Sequence, residues 1–72
     1  MKTVKIENIK DPVERKILEL LNTRGDCPYG NIIEQLHLSV REGQQVIFSL
    51  LSKGLIRHKK LSSSIELNVD LI

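Results

Sequence analysis

Pro28-Tyr29-Gly30-Asn31-Ile32-Ile33-Glu34-Gln35-Leu36-His37-Leu38-Ser39-Val40-Arg41-Glu42 opens a stretch that continues through Val46-Ile47-Phe48-Ser49-Leu50-Leu51-Ser52-Lys53-Gly54 into Leu55-Ile56-Arg57-His58-Lys59-Lys60. Pro28 suits a helix start, and Tyr29, Ile32, Ile33 and Leu36 fall at i, i+3, i+4 and i+7, the spacing of one buried helical face. This helix is barely two turns long. His37-Leu38 then makes a turn, with Leu38 expected as a buried hinge. Ser39-Val40-Arg41-Glu42 reads as a capping box, the serine hydroxyl accepting from the third helical N–H while the glutamate reaches back. In the helix that follows, Val40, Ile47, Leu50 and Leu51 form the inward stripe. Gly43 lies on the same side, where it lets a neighbouring helix come close, and Gly54 closes the helix.

With that stripe inward, Arg41, Gln44, Gln45, Ser49 and Ser52 are expected on the outward face, with Lys53 near its end. Arginine can make two parallel hydrogen bonds to guanine, glutamine can do the same to adenine, and serine can serve bases or phosphates. The same residues would also serve as a plain polar surface, as most amphipathic helices have one. Glu42 would repel phosphate if it faced a duplex, but the capping box gives it another partner. Phe48 is expected at the edge of the core, with a dimer surface as the alternative.

Downstream, Leu55-Ile56-Arg57-His58-Lys59-Lys60 begins a strand. Leu61-Ser62-Ser63-Ser64 follows as a tip, and Ile65, Leu67, Val69 and Leu71 then alternate with Glu66, Asn68 and Asp70. Arg57, His58, Lys59, Lys60 and Ser62 stand where a hairpin could reach phosphates without reading sequence. Upstream, Asp11-Pro12-Val13-Glu14 announces a first helix, with Asp11 as cap, Pro12 at the first position and Glu14 at the third position of a capping box. Val13, Ile17, Leu20 and Leu21 form its core stripe, Arg15, Lys16 and Glu19 stay outside, and Arg24-Gly25-Asp26 stops it. Thr3 to Ile9 alternates Val4 and Ile6 with Lys5 and Glu7, which predicts a short strand. Asn68 to Ile72 extends past its hairpin partner and offers an edge to that strand, within one chain or between two copies in a homodimer.

At 72 residues the chain is one domain near the lower size at which a core holds without disulfides or metal. An apolar content of 40% with 28% charged residues, spread without a long apolar run, fits a globular protein and offers no membrane span or signal peptide. A single cysteine, Cys27, excludes an internal disulfide, and a reducing cytoplasmic compartment is the simplest reading. Cys27, His37 and His58 lack metal-ligand spacing, and no glycine-rich phosphate loop is present. Cys27 and His37 read as a half-buried thiol and a turn histidine, so neither an enzyme nor a cofactor or small-molecule ligand is expected. One Tyr, one Phe and no Trp leave no stacking platform for single strands, which favours duplex as a nucleic-acid partner. Net charge is only +2, yet from Ser39 to Ser64 five cations face the single acid Glu42, a local net of +4.

The succession of helices and basic hairpin, best developed from Leu38-Ser39 through Ser52-Lys53-Gly54-Leu55-Ile56, resembles the winged helix-turn-helix transcriptional regulators over roughly Asp11 to Val69. The resemblance implies an α+β fold: three helices followed by a two-stranded wing, here with an extra N-terminal strand. Residues 1–10 would be the strand or arm and 11–72 the domain, with helices over about 12–24, 28–36 and 40–53 and the wing over about 55–70. It further implies double-stranded DNA as partner. By that likeness Arg41, Gln44, Gln45 and Ser49 would face bases or phosphates and Lys59 and Lys60 would be wing contacts, and Ser39, Lys53, Arg57, His58 and Ser62 complete the candidate DNA-binding set. Gly43 departs from the pattern, replacing a bulky apolar residue, and Arg41 is the only arginine on the reading face. Because winged-helix folds also serve as assembly modules, a protein-interaction role without DNA is the alternative.

Overall fold

Asp11 starts the first helix, α1 (Pro12–Arg24), its Oδ1 accepting from the N–H of Val13 at 2.8 Å and of Glu14 at 3.3 Å in the computed structural model, which describes residues 1–72. Gly25 ends it at φ 91°, its N–H donating to the Leu21 carbonyl at 2.7 Å. Half of the expected capping box is absent. Glu14 does not reach back to Asp11, because its side chain is buried against the third helix. The buried line of α1 is Glu14, Ile17, Leu18 and Leu21, while Val13 and Leu20 are only half-buried. Leu18 thus belongs to the core that the sequence pattern assigned to its neighbours.

Around α1 the chain orders β1 (Thr3–Val4), a 3-10 turn (Ile6–Asn8), β2 (Asp26–Pro28), α2 (Tyr29–Leu36), α3 (Val40–Ser52), β3 (Ile56–His58), β4 (Ser64–Leu67) and β5 (Asp70–Leu71). The fold is α+β, with three helices against a three-stranded antiparallel sheet in the order β2-β4-β3. Strand β2 was not expected from the sequence. It pairs Cys27 with Ile65 and Pro28 with Ser64, and as an edge strand it tolerates the missing N–H of Pro28. Cys27 is consequently fully buried, not half-buried. The hairpin itself matches Ile56 to Leu67, Arg57 to Glu66 and His58 to Ile65.

The alternation of Ile65, Leu67, Val69 and Leu71 survives a break after Leu67, since Ile65 and Val69 are buried and the other two half-buried. Beyond that break β5 pairs with β1 in parallel, Thr3 to Asp70 and Val4 to Leu71. The pairing that sequence left open between one chain and two forms within the chain. Eleven buried residues from all three helices, β2, β3, β4 and the segments beside the last two make one core. A fully buried leucine such as Leu50 contributes about 1.5–3 kcal/mol to it.

Two helix ends fix α3 in space. At the first, His37 adopts φ 54°, so that its N–H and that of Leu38 return to the carbonyls of Glu34 and Ile33 at 3.3 and 3.0 Å. At the second, Gly54 at φ 74° lets its own N–H reach Leu51 and that of Leu55 reach Leu50, at 3.0 and 3.1 Å. Between them Gly43 permits the close approach to α2 that the sequence led us to expect. A Cβ there would lie 2.8 Å from Tyr29 Oη and 3.0 Å from Ile33 Cγ1.

The phase of α3 corrects two expectations. Its buried line runs through Gly43, Ile47 and Leu50. Val40 precedes that line at the first turn and is 60% exposed. Phe48 lies about 100° round the helix from Ile47 and is 72% exposed, outside the core edge where it was expected.

Candidate nucleic-acid interface

Ser39 caps α3 as expected: its Oγ accepts from the Glu42 N–H at 3.1 Å, and Glu42 Oε1 accepts from the Ser39 N–H at 3.2 Å. Glu42 is therefore held against the helix end. Beyond it Arg41, Gln44 and Gln45 stand exposed, and their side chains make no hydrogen bond or ion pair within the chain. Ser52 shares that face. Phe48 sits among them, one turn beyond Gln44 and two beyond Arg41, so the outward strip of α3 is polar at both ends and apolar in the middle.

Ser49 and Lys53 do not join this strip. They converge instead on Glu14 of α1, which is only 4% exposed. Ser49 Oγ donates to Glu14 Oε2 at 2.9 Å, and Lys53 Nζ donates to Oε1 and Oε2 at 2.9 and 3.1 Å. The buried carboxylate is thereby satisfied, and α3 is tied to α1. Lys53 is therefore engaged with Glu14 and does not stand on the outward strip.

Two of the hairpin cations are also engaged. Arg57 Nε contacts Glu66 Oε2 across the strands at 2.8 Å, and its Nη1 donates to Asn68 Oδ1 at 3.1 Å. Asn68 in turn donates to the Gly54 carbonyl at 3.1 Å, joining the strand to the end of α3. Lys59 Nζ lies 3.5 Å from Asp26 Oδ2 on β2. At the tip, Ser62 Oγ accepts from the Ser64 N–H at 3.1 Å, which shapes the turn. His58 and Lys60 are exposed and hold no such partner. Between them and Ser62, Leu61 stands fully exposed with its backbone at φ 60°.

These contacts change the electrostatic picture. Three carboxylates from outside the Ser39–Ser64 segment, Glu14, Asp26 and Glu66, come to its cations and reduce the local net charge from +4 to +1. The exposed pairs of Arg57 and Lys59 are weak, about 0.2–1 kcal/mol each, so a phosphate can replace either carboxylate. Of the eleven candidate residues, Arg41, Gln44, Gln45, His58 and Lys60 have unengaged side chains. Sequence reasoning missed Phe48 as part of the outward face and missed all three carboxylates. Glu66 was within reach of it, since the hairpin register alone places Glu66 beside Arg57.

The candidate contacts all lie on open surface without a pocket, and no helix is long and apolar enough to cross a membrane. The chain matches no family model, no curated protein and no solved structure.

Proposed function

We propose that the chain is a winged helix-turn-helix domain that binds double-stranded DNA as a regulator of transcription, with α3 in the major groove and the β3–β4 hairpin along the backbone. The observation that carries this reading is the set Arg41, Gln44 and Gln45, which are exposed, unengaged and aligned on one face of a helix anchored at both ends. These are the side chains that match base edges in the major groove. The element order and the sheet order β2-β4-β3 support it by placing the hairpin directly after that helix.

With Arg41 and Lys60 as the free cations and Arg57 and Lys59 able to exchange partners, about two to four phosphates are neutralised. The logarithm of the binding constant then falls with the logarithm of salt concentration at a slope of about −2 to −4. Fluorescence anisotropy of labelled random-sequence duplex over a salt series tests this, with Arg41→Ala and Lys60→Ala alongside. Salt-sensitive binding weakened by both variants is expected. Absence of binding at low salt refutes the reading.

One observation favours a second reading, a protein-interaction module: the 72% exposure of Phe48 in the middle of the outward strip. A salt-insensitive complex with a protein partner, lost on Phe48→Ala, would establish that role instead.

A further inference from the structure

We propose that Phe48 reads the 5-methyl group of thymine, so that the duplex preferred by α3 carries A·T pairs at the positions beneath its central turn. This rests on the DNA reading above. The sole phenylalanine of the chain stands 72% exposed on α3, three residues after Gln45, four after Gln44 and four before Ser52. A large apolar ring in that position gains by meeting another apolar group when α3 is covered. Among the base edges of the major groove, thymine offers a methyl group, while the other groups are hydrogen-bond donors and acceptors.

The neighbours of Phe48 fit the same base pair. Glutamine makes its paired hydrogen bonds to adenine N6 and N7, which lie on the same groove edge as the methyl of the paired thymine. Gln44 and Phe48 are successive residues along one helical ridge, so an amide and a ring are presented side by side to an edge that carries an amine and a methyl. Charge is complementary as well. Arg41 lies on the strip, and its chain neighbour Glu42 has its carboxylate accepting from the Ser39 N–H at 3.2 Å.

The test compares two duplexes that differ only in this methyl: alternating dA·dT, and the same sequence with deoxyuridine in place of thymidine. Dissociation constants are measured for the parent, Phe48→Ala and Phe48→Leu at fixed salt, with a salt series for each. Burial of one methyl corresponds to about a fourfold preference for the thymidine duplex in the parent. Phe48→Leu retains a preference, and Phe48→Ala binds both duplexes equally with its salt slope unchanged. An unaltered far-UV circular dichroism spectrum shows that these exposed-site variants are folded.

Equal binding of both duplexes by the parent, with normal salt sensitivity, overturns the proposal and leaves DNA binding intact. A preference that persists in Phe48→Ala overturns it too, since the discrimination then comes from elsewhere. No binding to either duplex overturns both readings and returns Phe48 to the protein-interaction role.

Discussion

Replacing Glu14 probes the tie between α1 and α3, and its cost can be worked from the geometry. The Ser49 hydroxyl donates to a carboxylate whose side chain is 5% exposed, and a hydrogen bond to a charged group in such a place is worth about 1.5–3 kcal/mol. Lys53 is 54% exposed at its own side chain, so its contribution is discounted to that of a surface pair, about 0.2–1 kcal/mol. Glu14→Ala therefore costs about 2–4 kcal/mol. Glu14→Gln still offers Ser49 an acceptor and costs about 1–2 kcal/mol. A 72-residue domain has about 4–11 kcal/mol of stability in all, so the alanine variant loses a large share and melts at least about 8 °C lower.

Urea unfolding followed by circular dichroism measures these values directly. Lys53→Met, made alone and with Glu14→Gln, completes a cycle in which the double variant loses less than the sum of the singles by at least about 0.5 kcal/mol. Glu19→Gln, on the exposed side of α1, serves as control. A Glu14→Ala variant within about 0.5 kcal/mol of the parent, or strict additivity in the cycle, would refute the account of Glu14 as the junction of the two helices.

Gly43→Ala should destabilise by about 1–3 kcal/mol in the same unfolding assay, because the new methyl would meet Tyr29 Oη at 2.8 Å and push α2 away. Tyr29→Phe should cost less in that background than in the parent, because it gives up the hydrogen bond from Tyr29 Oη to the Val40 carbonyl at 2.9 Å but also removes the atom nearest the new methyl. Ser39→Ala removes the cap of α3 and should cost about 1 kcal/mol, with Ser39→Asp close to the parent; equal stability of all three would contradict the capping geometry. Leu61→Gly should raise the melting temperature by a few degrees, since glycine adopts φ 60° without the steric penalty borne by leucine. A drop in melting temperature would show that this conformation is not strained.

The parts of the fold that were legible in the sequence are those decided within a few residues. Asp11-Pro12 at the start of α1, the Ser39–Glu42 box, Gly43 at the contact with α2 and Gly54 at the end of α3 each declare themselves through local stereochemistry. The parts that were not legible depend on partners distant in the chain. Asp26-Cys27-Pro28 is too short to show a period, and Pro28 argues against a strand until β4 is seen to pair on one side only. Glu14 carries the local signature of a capping box, but Ser49 and Lys53, far along the chain, make better partners for it. Its burial turns α1 so that Leu18 enters the core.

The candidate interface divides in the same way. That α3 shows a polar face followed its periodicity, and Arg41, Gln44 and Gln45 are where the pattern put them. Which cations remain free did not follow, because ion pairing joins residues that only the folded sheet brings together. Phe48 was expected at the core edge, with a dimer surface as the alternative. The helix phase, set by Gly43 against Tyr29 and Ile33, turns it outward.

The parallel pairing of β1 with β5 also decides how the domain carries load. Because the two strands run the same way, residues 1 and 72 leave the pair at opposite ends, and tension between them slides one strand along the other. The bonds from the Asp70, Ile72 and Ile6 amides to the Lys2, Val4 and Ile72 carbonyls, at 2.8, 3.0 and 2.8 Å, then resist together and do not open one by one. A pull between those residues meets this clamp before it reaches α3. A pull between a hairpin residue and residue 1 bypasses it in part, so the domain should be mechanically anisotropic, stiffer between residues 1 and 72 than between residue 1 and the hairpin.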